Sequence, residues 1–415
     1  MLDIQKIRNN KEEVEKALLK RLKKGSFDLD KIIKLDDERK ELIKEADELK
    51  AERNKFSKTK PSPEIIEKMK AVGEKIKELD EKLAAAEWKL KEAISELPNT
   101  PLAEVVAGGK ENNEVVKEFG KKQEFDFGIK DHVDLAKDLK VVDYERGVKI
   151  AGSGFWCYTG DGALLEWALL NYFVEFHKKN GYEFILAPFM LNEDSAYASG
   201  HLPKFRDDLY WTQDKLCLNA TSEMMINNFH RDDVLNEADL PKKYYSYSAC
   251  FRREAGSYRK EERGMVRGHQ FNKIEMFQFT HPNESAKAFD ELVKNAEKLV
   301  EGLGLHFRTV KLAAEDCSAA MAKTYDIEVW IPSMATYKEV SSVSNALDYQ
   351  ARRGNIRFKN KEGKTEFLHT LNASGLATSR LVPAILEQFQ QRDGSVEIPK
   401  VLQKWVGKKK LEIKK

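Results

Sequence analysis

The densest chemistry in this chain of 415 residues lies between Cys250 and Glu275, as CFRREAGS at 250–257 and RGMVRGHQFNKIE at 263–275. Arg252, Arg253 and Arg267 carry planar guanidinium groups, which grip an oxyanion through paired hydrogen bonds. Glu254 and Glu275 add acceptors for cationic or hydroxyl groups. Further along, YKEVSSVSN at 337–345 sets the Glu339 carboxylate near the Ser341 and Ser342 hydroxyls, oxygen donors of the kind magnesium takes. The stretch LNASGLATSR at 371–380 brings Ser374 and ends in another arginine, Arg380. Arginines and oxygen donors of this kind suit holding anions and neutralising charge on their oxygens, and that work needs no protein nucleophile. Taken singly, each residue has a plain reading. An arginine on a strand is commonly a surface cation, a glutamate commonly a cap or a surface pair, and His269 alone would pass for a general base. We read His269 as a hydrogen-bonded support for its strand.

Several other chemistries find no support. The chain has no GxGxxG and no GxxxxGK[ST], so neither a dinucleotide site of that type nor a P-loop is expected. Its four cysteines, Cys157, Cys217, Cys250 and Cys317, all lie more than 30 residues apart, so no zinc is expected and reduced thiols are. Net charge is only +2, so any nucleic-acid binding must come from local patches. MLDIQKIRNN at the N-terminus is charged from Asp3 and has no apolar signal core. The longest apolar run, Phe184 to Leu191, is too short for a membrane span. A soluble cytoplasmic protein with no membrane partner is the expectation.

The elements that must position these residues divide the chain. Residues 1–100 read as helix. Leu35, Leu42, Leu49 and Phe56 recur at seven-residue spacing, as do Met69, Ile76, Leu83, Leu90 and Leu97, with Val72, Leu79, Ala86 and Ala93 as a companion row. Such rows place one apolar seam along a helix. Prolines at 61 and 63 interrupt the two stretches, so an antiparallel coiled-coil arm of about 45 Å is expected. Arg53, Lys55, Lys58 and Lys60 sit at its tip. The pattern alone does not choose between a structural rod and a nucleic-acid arm.

A linker is expected from Pro98 to about Gly120. Beyond it, strands are expected at Phe184–Ala187, Lys243–Ser246, Asn272–Phe279, Phe307–Val310, Ile327–Ile331 and Phe367–Thr370. Helices are expected at Ala163–Lys178, Ser285–Gly302 and Leu381–Gln391, and a frayed lysine-rich tail from Lys408 to Lys415. Strands in succession without regular βαβ alternation indicate an α+β domain with a mainly antiparallel sheet flanked by helices. The domains are placed at 1–105 and 106–415.

The FRRE run, the charged loop and HQFNKIE resemble motif 2 of class II aminoacyl-tRNA synthetases, in the form used by seryl-tRNA synthetases. LNASGLATSR resembles that family's motif 3, and DGSVEIP follows it at 393–399. YKEVSSVSN, DYQARR at 348–353, Thr221-Ser222-Glu223 and GHLPKF at 200–205 resemble its other signatures, and MLDIQKIRNN with the arm resembles its N-terminal domain. The resemblance covers essentially the whole chain. It implies a class II catalytic domain that uses ATP and Mg²⁺ to join serine to tRNA through a seryl-adenylate. Arg252 would bridge the α-phosphate and the serine carboxylate, Arg380 would hold the γ-phosphate, and Arg267 would fold the phosphates back. Phe271 would stack on adenine, while Glu254 and the backbone near Gly268 read its edge. Arg253, Val340 and Ser341 would complete the ATP site, with Glu339 and Ser342 as Mg²⁺ ligands. Thr221 and Glu223 would meet the serine ammonium, Ser222 would add a hydroxyl to the serine site, and Glu275 and Ser374 would meet the serine hydroxyl.

The resemblance further implies a homodimer through the segment Gly181–Met190. The arm would reach the long variable arm of serine tRNAs, and selenocysteine tRNA would also be served. The chain departs from the common pattern at Ala220, Ser222, Gly268, Ala373 and Ser379. Two rival readings exist: a paralog that activates an amino acid for a carrier, and an inactive binding homolog. The first would lack the arm. The second would have lost Arg252, Glu275, Glu339 or Arg380, and all four are present.

Overall fold

The computed structural model describes residues 1–56, 62–255 and 264–413, and the chain forms two compact units, Met1–Thr100 and Pro101–Lys415. The first unit is helical: α1 Ile4–Asn9, α2 Lys11–Leu18, α3 Leu29–Phe56 and α4 Pro63–Ser95. Asp3 caps α1 by accepting from the Gln5 N–H, and Ser62 caps α4 with Pro63 in its first turn. Helix does not run unbroken from residue 1. Residues 19–28 leave it, with Gly25 at φ +87° and the Asp28 carboxylate accepting from the Lys31 N–H.

The long helices run antiparallel: Lys50 pairs with Asp80 at 3.1 Å, and Glu45 acts on Lys82. Ala46, Ile76, Ala86 and Leu90 are buried along the seam, while Leu35, Leu42, Leu49 and Leu83 are half-buried. Two helices alone shield each seam residue on one side only. Of the basic tip, Arg53 and Lys55 are exposed in the last turn of α3; Lys58 and Lys60 lie outside the described residues.

A charged knot joins the short helices to α3. The Asp36 carboxylate is fully buried and takes Arg8 at 3.1 Å, Arg39 at 2.7 Å and Lys40 at 3.0 Å. Burial pushes its pKa up, yet the hydrogen bonds from Arg39 and Lys40 outweigh that and hold it below the ordinary carboxylate value.

The second unit is built on an eight-stranded sheet. Its strands are β1 Glu114–Phe119, β2 Glu183–Ile185, β3 Lys242–Phe251, β4 Gln270–Thr280, β5 Phe307–Lys311, β6 Lys323–Ile331, β7 Thr336–Leu347 and β8 His369–Ala377. Their order is β1-β5-β6-β7-β8-β4-β3-β2, antiparallel throughout except where β2 joins β3. Helices α5 Asp161–Lys179, α7 Ser285–Gly302 and α8 Thr378–Gln388 share one core with Ile274 and Met276 of β4, Val340 and Val343 of β7, and Ala373 of β8. A short helix, α6 Ser222–Asn227, is capped by Thr221.

Two strands of the eight-stranded sheet arise where none is expected. β1 lies within the expected linker; its EVVKEF sequence is exposed along nearly all its length and shows no alternation. β7 reads as polar because its serines line a cavity. The expected strand Phe367–Thr370 is instead the junction of Thr365–Phe367 and β8. The tail is tied down as far as Leu411. Lys410–Leu411 pairs with Val396–Glu397, Leu411 is buried, and Lys408 meets Asp161 at 2.8 Å; Lys414 and Lys415 lie outside the described residues. The Leu102 N–H donates to Ala322 O, so residues 101–105 pack with the second unit. Among the described residues no helix is long and apolar enough to cross a membrane.

Replacing Asp36 by Ala leaves its cations without their shared acceptor and should destabilise the N-terminal unit by about 1–3 kcal/mol, read by thermal melting. The depressed carboxyl contributes stability above its unfolded value near pH 4 and loses it as pH falls through the folded value. The stability gap between wild type and Asp36→Ala should therefore close below about pH 4.

Candidate active site

Strand periodicity builds the site. Side chains two residues apart share a face, so Phe271, Lys273 and Glu275 of β4 point one way, while Asn272, Ile274 and Met276 point the other. On β8, Ser374 stands directly opposite Glu275, with Asn372 on the same face. On β7, Glu339 and Ser342 are three residues apart and should face opposite ways. A bulge reconciles them: Ile327 pairs with Ser341 and Glu328 with Glu339, leaving Val340 as the extra residue. Glu339, Ser342 and Ser344 then reach one cavity, and the Val340 side chain goes to the core.

That cavity holds about 430 Å³. Thr221, Glu223, Arg252, Glu254, Arg267, Glu275, Glu339, Ser342, Ser374 and Arg380 border it. A smaller lobe of about 40 Å³ adds Gly268 and Phe271 and shares Arg252, Glu254, Arg267, Lys273, Glu339, Ser374 and Arg380 with the larger one. The structure thus gathers most of the expected residues from five elements. Four do not border either lobe. Arg253 is exposed, and its N–H donates to Asp208 O. Ser222 is buried with its hydroxyl 2.7 Å from Ser248 Oγ, so the added hydroxyl is used beneath the pocket. Val340 is in the core, and the Ser341 hydroxyl donates to Ser374 O at 2.6 Å, bracing that residue from behind. Of the other departures, Ala373 turns to the core and Ser379 borders the small lobe.

Lys273 was not singled out in the sequence, though its place between Phe271 and Glu275 in the period-two pattern marks it. It is buried, donates to Thr221 Oγ1 at 2.6 Å and forms an ion pair with Glu275. Glu275 also accepts from Asn372 Nδ2 at 3.1 Å. Glu223 accepts from Gln350 Nε2 at 2.6 Å, and the amide is oriented by Thr370 Oγ1 donating to Gln350 Oε1. Gln350 belongs to the DYQARR segment, so that segment serves to aim a carboxylate. Burial, with the neighbouring Glu275 charge, pushes Glu223 up to about 7. His201 also borders the cavity; burial, then the charges of Arg252 and Lys273, push it down to about 3, so it is uncharged at neutral pH.

The arginines are preset. Arg252 Nε donates to Ala220 O at 3.3 Å, and its guanidinium lies 5.2 Å from the Phe271 ring centroid. Arg267 pairs with Glu254 at 2.6 Å. Arg380 donates to Glu339 O at 2.7 Å and lies 3.2 Å from Glu339 Oε2. His269 does support its strand: its Nδ1 lies 2.9 Å from Arg252 O.

For a divalent cation the donor set is a carboxylate, Glu339, and a hydroxyl, Ser342. Behind them Asp326 is buried opposite Ser342, and its Oδ1 has no hydrogen-bond partner among the described residues. Burial, then the Glu339 charge, pushes its carboxyl well up. Among the described residues no cluster of three or more His, Cys, Asp or Glu could hold a metal. Two oxygen donors beside an under-satisfied carboxylate fit an ion that completes its shell with phosphate oxygens and water, not a resident metal cage.

An antiparallel sheet presenting arginines and a stacking phenylalanine to one cavity defines a class II synthetase core. Consistent with this, residues 204–389 match the tRNA synthetase class II core domain (G, H, P, S and T), and residues 1–101 match the seryl-tRNA synthetase N-terminal domain. The chain is 53% identical to serine–tRNA ligase 2 of Clostridium acetobutylicum, across 99% of this chain and 100% of that one. It is 45% identical to the serine–tRNA ligase of Chloroherpeton thalassium, across 98% and 99%. Its fold is similar to the seryl-tRNA synthetase of Pyrococcus horikoshii complexed with ATP, with a TM-score of 0.92 and 33% identity across the full length of both chains. The chain belongs to the seryl-tRNA synthetase family.

Lys273→Met should leave the Glu275 carboxylate buried without its ammonium. A loss of about 2–4 kcal/mol in stability of the catalytic unit at neutral pH is expected, read by denaturant unfolding.

Proposed function

We propose that the enzyme charges serine tRNAs in two steps through a seryl-adenylate, and that selenocysteine tRNA is a further substrate. The observation that carries this reading is the cavity in which Glu275 and Ser374 stand face to face, bordered also by Thr221 and Glu223, with Arg252 and Arg380 bordering it and its small lobe.

In the first step a serine carboxylate oxygen attacks the α-phosphorus of ATP. The new O–P bond forms as the bond to the bridging oxygen breaks, and pyrophosphate leaves with that electron pair. Arg252 bridges the carboxylate and the α-phosphate, and Arg380 and Arg267 take the outer phosphates. Phe271 gives the adenine a face to stack on, and Glu254 with the Gly268 backbone reads its edge. Glu339 and Ser342 would hold Mg²⁺, which when bound neutralises phosphate charge. In the second step a ribose hydroxyl at the tRNA terminus attacks the seryl carbonyl and AMP leaves.

Selection of serine follows from the pocket's polar groups. Glu223 and Thr221 attract the ammonium. Glu275 and Ser374 pair with the hydroxyl, and alanine would offer them no such partner. For dimerisation through the 181–190 segment, the supporting feature is the short edge strand β2, beside which Phe184, Leu186 and Met190 are exposed. The arm would then present the long variable arm of the tRNA through shape and phosphate contacts. We place the enzyme in the cytoplasm.

Charging of total tRNA with labelled serine, alanine or threonine tests the reading: label from serine alone supports it, and charging with another amino acid overturns the specificity. Glu275→Ala should weaken serine activation by about 2–4 kcal/mol in pyrophosphate exchange, and near-normal exchange would refute its role. The ammonium requires ionised Glu223, so kcat/KM for serine should fall about tenfold per pH unit below about 7. Glu223→Gln should flatten that slope.

A further inference from the structure

Position 268 has no room for a side chain. A Cβ built there would overlap Cζ3 of Trp156, come within 2.6 Å of its Cη2 and lie 3.0 Å from Gly154 O. The indole is partly buried against the main core. Its backbone is pressed on Gly147, where an added Cβ would stand 2.6 Å from Trp156 N and 2.7 Å from Phe155 O. Its ring meets Tyr158 edge-on at 6.3 Å.

The segment that carries this tryptophan is fastened to the site. The His269 N–H donates to Gly154 O at 3.0 Å, and the Phe155 ring lies 5.3 Å from the His269 imidazole. His269 in turn contacts Arg252 from both sides: its Nδ1 lies 2.9 Å from Arg252 O, and its own carbonyl accepts the Arg252 N–H. Gly268 borders the small lobe with Phe271 and Arg252. The indole thus occupies the volume that any side chain at 268 would need, and a bare stretch of backbone is presented to the lobe.

We propose that Trp156 is a positioning residue for the nucleotide base: it fixes the Gly268 backbone as the wall of the small lobe, and the two residues trade volume as a pair. This rests on the adenine reading of that lobe. Gly268→Ala would push the indole or the wall, and the lobe is too small to absorb the shift. Trp156→Leu would loosen the wall by itself, yet make room for an alanine at 268.

The test is ATP–pyrophosphate exchange on the full-length enzyme with the two single variants and the double variant. Gly268→Ala should raise KM for ATP at least about tenfold with KM for serine nearly unchanged, and adding Trp156→Leu should recover most of that loss. Trp156→Leu alone should raise KM for ATP about threefold or more. An unchanged KM for ATP in Gly268→Ala overturns the proposal, as does a double variant at least as impaired as Gly268→Ala. If Gly268→Ala does not fold, Trp156→Leu decides by itself: a selective rise in KM for ATP supports the proposal and no rise overturns it. A rise in KM for serine with none for ATP would show that the base does not occupy this lobe, and the adenine reading would fall together with the proposal.

Discussion

A buried ammonium holds the centre of the catalytic unit together electrically. Lys273 stands on β4 and borders the cavity together with Glu223 and Glu275. Burial, with the repulsion between two carboxylates so placed added to it, drives Glu223 towards its neutral form. The lysine offsets one of them and also fastens Thr221 at the start of a helix. Strand, helix cap and acceptor pair are therefore set by one side chain.

Around that centre the site is braced from outside by groups that never touch the cavity. Gln350 aims Glu223, Ser341 holds the Ser374 carbonyl, and His269 links the two halves of the motif around Arg252. The arginines are likewise held by groups of the protein itself, Ala220 O, Glu254 and Glu339. Such preorganisation lowers the reorganisation needed when phosphate charge develops.

Much of this could be read from residue order. Seam periodicity foretold the hairpin, and the charged signatures foretold which residues converge. What escaped has physical reasons. β7 faces a polar cavity, so its serines hide the alternation that reveals a strand with one apolar face. β1 is exposed along nearly all its length and carries no pattern at all. Which hydroxyls face inward also depended on context. Ser341 and Ser342 are adjacent and chemically equal, and only the bulge at Val340 decides that Ser342 meets the cavity while Ser341 braces from behind. Lys273 was legible in principle, because alternation from Phe271 to Glu275 passes through it.

That bulge makes the reading frame of β7 unforgiving in one place. Were β7 to run here as a flat ladder at its present length, Glu339 and Ser342 would fall on opposite faces and one of them would turn into the apolar core. The extra residue works as a frame marker, keeping the carboxylate and the hydroxyl in phase whatever happens to the loops around them.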